Sequence, residues 1–279
     1  MKLLRYGPSG QEKPGLLDGN GKIRDLSSVV ADITPETFAP ASLDRLRALN
    51  PDSLPAVPGS PRIGACVANV PKLVCIGLNY REHANETNSP IPKEPILFLK
   101  ATSSIIGPND DVVLPKGSEK GDWEVELGIV IGKTARYVAE HEWQSYVAGY
   151  CIVNDVSERS FQLERGGQWT KGKSCDTFCP LGPWMVTADE VPDPQGLDLL
   201  CEVSGQVMQK STTRDMIFTC QQLVSYISHF MTLQPGDVIP TGTPSGVGLG
   251  RKRFLKPGDK MRLAIAGLGE QRQRVVAWG

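Results

Sequence analysis

Two glutamates, Glu124 and Glu126, head an apolar run, WEVELGIVIG (123–132), and this arrangement restricts what the chain can fold into. The stretch from Val125 to Ile131 is rich in Val, Ile and Leu and ends in a Gly-Lys turn, which reads as a buried strand. On a strand, residues i and i+2 share a face, with Cα atoms roughly 6.5–7 Å apart. The two carboxylates therefore stand side by side, where they repel each other and lose hydration. A cation between them removes both costs, and carboxylate oxygens suit Mg²⁺, Mn²⁺ or Ca²⁺. The plainer alternative is a solvated edge face.

Composition narrows the class. Net charge is -1, and no basic block interleaved with aromatics points to nucleic acid. The N-terminus lacks the apolar core of a signal peptide, and no run approaches the roughly 20 apolar residues of a membrane span. Seven cysteines, an odd number, are scattered through apolar runs such as LVCIG (73–77). They read as buried free thiols in a reducing cytoplasm. Cys175 and Cys179, spaced CxxxC, with only three histidines in the chain, do not suggest zinc.

Residues 1–34 read as short strands with Gly-Asn and Gly-Lys turns, followed by a helix signal over 34–49. A Pro-rich stretch, through PGSPRIG (58–64), marks a linker. We therefore expect a small β-rich N-terminal module over 1–66 and a main domain over 67–279. Beyond Lys72, strands are expected at LVCIGLNY, ILFLK (96–100), VVLP (112–115), the glutamate run and YCIVND (150–155). Helices are expected near 138–147, 157–165 and 219–233, the last stopped by Pro235-Gly236. LDLLCEVSGQVMQ (197–209) and the final KMRLAIAGLGEQRQRVVAW read as hairpins. Many strands, few helices and no βαβ regularity predict an α+β fold with a large curled or sandwiched sheet.

One motif misleads. GQWTKGKS (167–174) matches the phosphate-loop pattern, but that loop works only between a strand and a helix. The residues before it are polar and helix-like, and two prolines follow, so no helix opens there.

Asp155, ending YCIVND, offers a third carboxylate for Glu124 and Glu126; alone, it reads as a helix N-cap. His83 and Glu86 are three apart in NYREHANE and share one side of a helical turn. A carboxylate on an imidazole holds its tautomer and raises its basicity, which makes a general base. A surface His–Glu pair is the bland alternative.

Over roughly 70–279 the chain resembles the fumarylacetoacetate hydrolase family, through GLNYREHANE, PILFLK, EVELGIVIG, NDVSERSFQ, WTKGKSCDTFCPLGPW and PTGTPSGVG in that order. The resemblance implies a mixed β-sandwich or β-roll catalytic fold, usually a homodimer, acting on α-keto or 1,3-diketo acids. It implies Mg²⁺ or Mn²⁺ on Glu124, Glu126 and Asp155, and a water-activating dyad of His83 and Glu86 on a mobile lid. It also implies Lys173 as the active-site lysine, Arg159 and Gln162 facing substrate oxygens, and Thr243 at the substrate's carboxylate.

That set suits hydrolysis of a 2,4-diketo acid to pyruvate and a second acid. The same enolate arises in oxaloacetate decarboxylation, and ureidoglycolate cleavage is a further lyase alternative. Arg159, Gln162, Lys173 and Thr243 offer many donors and few apolar surfaces, and the segment 85–94 is polar. A 2,4-diketo-3-deoxy sugar acid with a hydroxylated tail is the expected substrate.

Overall fold

Alternation of apolar and polar side chains dominates the chain, and the computed structural model, which describes residues 1–279, resolves it into two main sheets. Strands β1 (Lys2–Tyr6), β2 (Lys13–Leu17) and β3 (Ile23–Asp25) precede helix α1 (Pro40–Arg47). Strand β4 (Leu73–Gly77), helix α2 (Arg81–Glu86) and strand β5 (Ile96–Lys100) follow. Short strands β6 (Ile105–Ile106), β7 (Val112–Leu114) and β8 (Gly121–Asp122) lead into β9 (Val125–Ile131), the glutamate strand, and β10 (Val147–Asn154). Then come β11 (Ser157–Glu158), helices α3 (Arg159–Leu163) and α4 (Thr170–Lys173), and β12 (Cys179–Thr187). The chain ends with β13 (Asp198–Val203), β14 (Gln206–Thr212), α5 (Cys220–Phe230), β15 (Val238–Pro240), α6 (Gly248–Arg251), β16 (Lys260–Ile265) and β17 (Gly269–Ala277).

The larger sheet has the order β3-β2-β1-β12-β10-β9-β15-β4-β5, with β6 added to β12, and the smaller runs β14-β13-β16-β17-β7. Strand β9 lies near the middle of the larger sheet and is buried on both faces. Its odd residues, Val125, Leu127, Ile129 and Ile131, enter the core shared with β13, β16 and α5. Its even residues face the other way: Val130 joins the second core, and Glu126 lies towards the end of the strand. The period of two thus separates hydrocarbon from carboxylate within one strand.

The expected α+β class, both hairpins and the helix at α5 are present, the last capped by Thr219 and Gln222. Over 34–49 the helix is broken: Ala39 has ψ 138° because it precedes Pro40, and a separate turn spans Pro35–Phe38. Residues 140–146 form 3₁₀ turns, and Ser157–Glu158 pair with β8 before the helix of 157–165 can start. Residues 1–66 add three strands to the larger sheet, β1 pairing antiparallel with β12, and the Pro-rich stretch runs beside them with Ile63 bridged to Tyr6. All seven cysteines are unpaired and six are buried. No helix is long and apolar enough to cross a membrane.

Candidate active site

Strand register assembles the three carboxylates. Val153 on β10 lies opposite Glu126, and the N–H of Asp155, just past the strand, donates to the Glu124 carbonyl at 3.0 Å. Glu124, Glu126 and Asp155 are all buried, with ligand oxygens within 4.8 Å of one another. Oxygens on opposite sides of one cation, each about 2.0–2.6 Å from it, have a comparable span. Gly242, at φ +95°, donates its N–H to Glu126 Oε2 at 2.9 Å. A Cβ there would stand 2.7 Å from Asn79 Cβ, so only glycine brings the backbone this near.

Charge around this point is unbalanced. Lys173 Nζ bridges Glu124 Oε2 and Asp155 Oδ2 at 2.6 and 2.7 Å, and Lys100 Nζ holds Asp155 Oδ1 at 2.6 Å. The Arg159 guanidinium reaches Glu124 Oε1 at 2.6 Å and Asp122 Oδ2 at 2.7 Å. Four buried carboxylates (Asp122, Glu124, Glu126, Asp155) thus meet three buried cations (Lys100, Arg159, Lys173). Glu126 alone has no ion pair. Burial, and then its neighbours Asp155 and Glu124, push its carboxyl well above the usual range. Burial also opposes charge on Glu124, but Lys173 and Arg159 outweigh it and hold that group at about 2. A buried carboxyl without an ion pair, beside two that have them, is the environment that a divalent cation relieves, and the all-oxygen set fits Mg²⁺ or Mn²⁺.

Of the expected dyad, His83 lines the same space. Its Nδ1 lies 3.5 Å from Glu86 Oε2, beyond a hydrogen bond, and has no other partner. Glu86 also accepts from Gly246 N–H at 3.0 Å, and Ser245 donates to Glu82, so helix α2 is docked on the 245–246 loop. Burial works against the charge on Glu86, yet His83 and the Gly246 N–H outweigh it and keep its carboxyl below the usual range. His83, Glu124, Glu126, Arg159, Gln162, Lys173 and Thr243 all line one cavity of about 200 Å³.

Three expectations are refined by these contacts. Arg159 Nη1 donates to Gln162 Oε1, so the Gln162 amide group remains as a donor towards the cavity. The Thr243 hydroxyl donates to Val125 O and accepts from Gln209, which leaves it no proton for a substrate carboxylate. Asp155 caps no helix; Glu158 caps α3. The expectation of a cavity with few apolar surfaces needs correction: Ile76, Leu78, Phe98, Leu163, Trp169 and Leu249 line it too. The polar lid groups do not offset this, because the Thr87 hydroxyl donates back to the His83 carbonyl.

Asp122 and Lys100 escaped the sequence reading. Asp122 accepts from the Gly248 and Leu249 N–H groups as well as from Arg159, tying α6 to the guanidinium. The repeat Asp122, Glu124, Glu126 at every second residue carried that signal. Lys100, the last residue of the strand ILFLK, is 3% exposed, and nothing in its local sequence marks it as buried. The Gly167–Ser174 segment follows helix α3 and holds the four residues of α4 before an irregular turn, so it lacks the strand before and long helix after that a phosphate loop requires.

The family model for the fumarylacetoacetate (FAA) hydrolase C-terminal region matches residues 72–276. A Burkholderia ambifaria protein, provisionally named a hydrolase, is 63% identical over 276 residues, 98% of either chain. A fumarylacetoacetate hydrolase from psychrophilic Exiguobacterium antarcticum superposes with TM-score 0.87 at 33% identity, covering all of both chains. Maleylpyruvate hydrolase from Sphingobium sp. SYK-6, crystallised with manganese(II) and pyruvate, gives TM-score 0.84 at 32% identity with the same coverage.

Proposed function

Because the chain belongs to the fumarylacetoacetate hydrolase family, we propose that it is a Mg²⁺- or Mn²⁺-dependent hydrolase that splits a C–C bond of a 2,4-diketo acid, releasing pyruvate and a second acid. The observation that carries this reading is the meeting of His83, Glu124, Glu126 and Lys173 in the lining of one cavity, with Asp155 completing the carboxylate triad and Glu86 lying 3.5 Å from His83. The manganese and pyruvate held by a relative of the same fold support it. A bound cation would polarise the keto oxygen and stabilise negative charge beside the triad.

The remaining steps belong to side chains. Glu86, 3.5 Å from His83 Nδ1, would hold the imidazole proton there once the two close to hydrogen-bond distance, leaving Nε2 to accept a proton from a water directed at the distal carbonyl. Breaking the C–C bond sends its electron pair towards the pyruvate half as an enolate. The Lys173 ammonium, whose pKa is raised by Asp155 and Glu124 against the effect of burial, stays charged to neutralise it. The Gln162 amide orients a substrate oxygen.

Acetylpyruvate with Mg²⁺ tests the proposal, with pyruvate release followed directly. His83→Ala should lower turnover by roughly 10²–10⁴-fold, the scale of a lost general base, while leaving the affinity for Mg²⁺ unchanged. Unchanged turnover, or isomerisation of the diketo acid with no pyruvate formed, would overturn it.

A further inference from the structure

The cavity has two chemically distinct halves. Its floor holds the carboxylates with Arg159 and Lys173, the only Lys or Arg side chains among its lining. Hydrocarbon from Ile76, Leu78, Phe98, Leu163, Trp169 and Leu249 makes up much of the remaining lining, and Trp169 is the largest of these side chains. The Trp169 ring lies over Gly77 at the end of β4, where an added Cβ would stand 2.5 Å from the ring. Phe98 meets it edge-on, with centroids 5.4 Å apart at 67°. The Lys173 ammonium lies 5.1 Å from the Phe98 centroid, so the aromatic pair begins where the charged floor ends. Leu78, also in this lining, is held at φ +50°, a strained conformation of the kind retained at functional sites. On the lid side, the Ser89 hydroxyl lies 3.1 Å from Thr87 Oγ1, whose own proton goes to the His83 carbonyl, so Ser89 is left to donate to Thr87.

We infer that Trp169 and Phe98 form the tail subsite, selecting a diketo acid with a flat apolar or aryl tail over one with a hydroxylated or carboxylated tail. This rests on the diketo-acid reading above. Such a polar tail would lose water against hydrocarbon with no cation beside it, because Arg159, Lys173 and the free Gln162 amide lie with the keto-acid end. An aryl tail exchanges water for two ring faces and leaves the floor to its inner keto-acid end. Gly77 is the positioning residue: its missing Cβ is the space that the Trp169 ring occupies.

Calorimetry on the Mg²⁺-loaded His83→Ala protein tests this without turnover, using benzoylpyruvate, acetylpyruvate and hydroxylated and carboxylated diketo acids of similar length. Benzoylpyruvate should bind at least about 10-fold more tightly than either polar-tailed acid. Adding Trp169→Ala should weaken benzoylpyruvate by roughly 10–100-fold and acetylpyruvate by less than about 3-fold. Trp169→Phe should restore most of the loss, and Gly77→Ala, which displaces the ring but keeps it, should reproduce the loss. Tighter binding of a polar-tailed acid, or equal weakening of benzoylpyruvate and acetylpyruvate in Trp169→Ala, would overturn the subsite. Selective aryl binding together with no pyruvate release from any diketo acid in the parent protein would instead sink hydrolysis and leave the subsite standing.

Discussion

Glu126 differs from its neighbours in lacking a cation, and its replacement should behave accordingly. In the metal-free protein burial and the neighbouring Asp155 and Glu124 favour the protonated form of its carboxyl, which Glu126→Gln mimics in charge and in shape. Stability should change by less than about 1 kcal/mol, while uptake of Mg²⁺ or Mn²⁺ and activity are lost together. Metal binding to the parent protein should expel this proton and therefore tighten as pH rises. Glu124→Gln is the contrasting case: it leaves Lys173 and Arg159 short of a buried partner, at a cost of about 3–5 kcal/mol. Thermal melts and metal titrations of both variants separate the two roles. Equal destabilisation would refute the assignment of charge. The Glu124–Glu126 pair was legible because a period of two places neighbours on one face. Trp169 was not, since a tryptophan in a polar loop shows its partner only once Gly77 is beside it.

Between elements, ion pairs join segments that are distant in sequence. Glu12, between β1 and β2, accepts from Arg62 Nη1 at 2.8 Å and lies 3.5 Å from Arg5 Nη2, while Arg62 also binds Asp110 at 2.6 Å. Burial raises the Glu12 carboxyl, but the hydrogen bond from Arg62 and the nearby guanidinium charges outweigh it, so the folded value is lowered from 4.5. A depressed carboxyl contributes stability that is present above about 4.5 and is lost as pH falls through the folded value. Glu12→Gln should therefore lower Tm at pH 7 by roughly 2–4 °C, the effect of about 1 kcal/mol in a chain of this size. As pH falls below the folded value the variant and parent should converge. A Tm difference independent of pH would show that packing, not charge, is responsible. Helix α5 was legible from its spacing and cap, whereas the break before Pro40 shows how one imino acid overrides an apolar repeat.

Across the whole molecule, the expected boundary near residue 66 meets a continuous sheet and a shared core. Ten of the 22 residues in the second core come from 1–66, among them Leu3, Phe38 and Leu46, and they pack with Leu73, Val130 and Val153. Residues 67–279 expressed alone should accordingly lose the β1 partner of β12, expose that core and show no cooperative melt. A sharp transition near the parent Tm would instead make 67–279 an autonomous unit. By itself, the sequence determined the strands, the side of β9 on which the carboxylates lie, and the order of motifs that identified the family. These follow from alternation and local backbone preference, which need no knowledge of distant residues. Only the tertiary structure decided that Lys100 and Asp122 belong to the charged cluster, that the Thr243 proton is taken by Val125, and that much of the cavity lining is hydrocarbon. Each depends on which segments, tens of residues apart, are pressed together, and no local pattern encodes the partner that a buried charge or ring will meet.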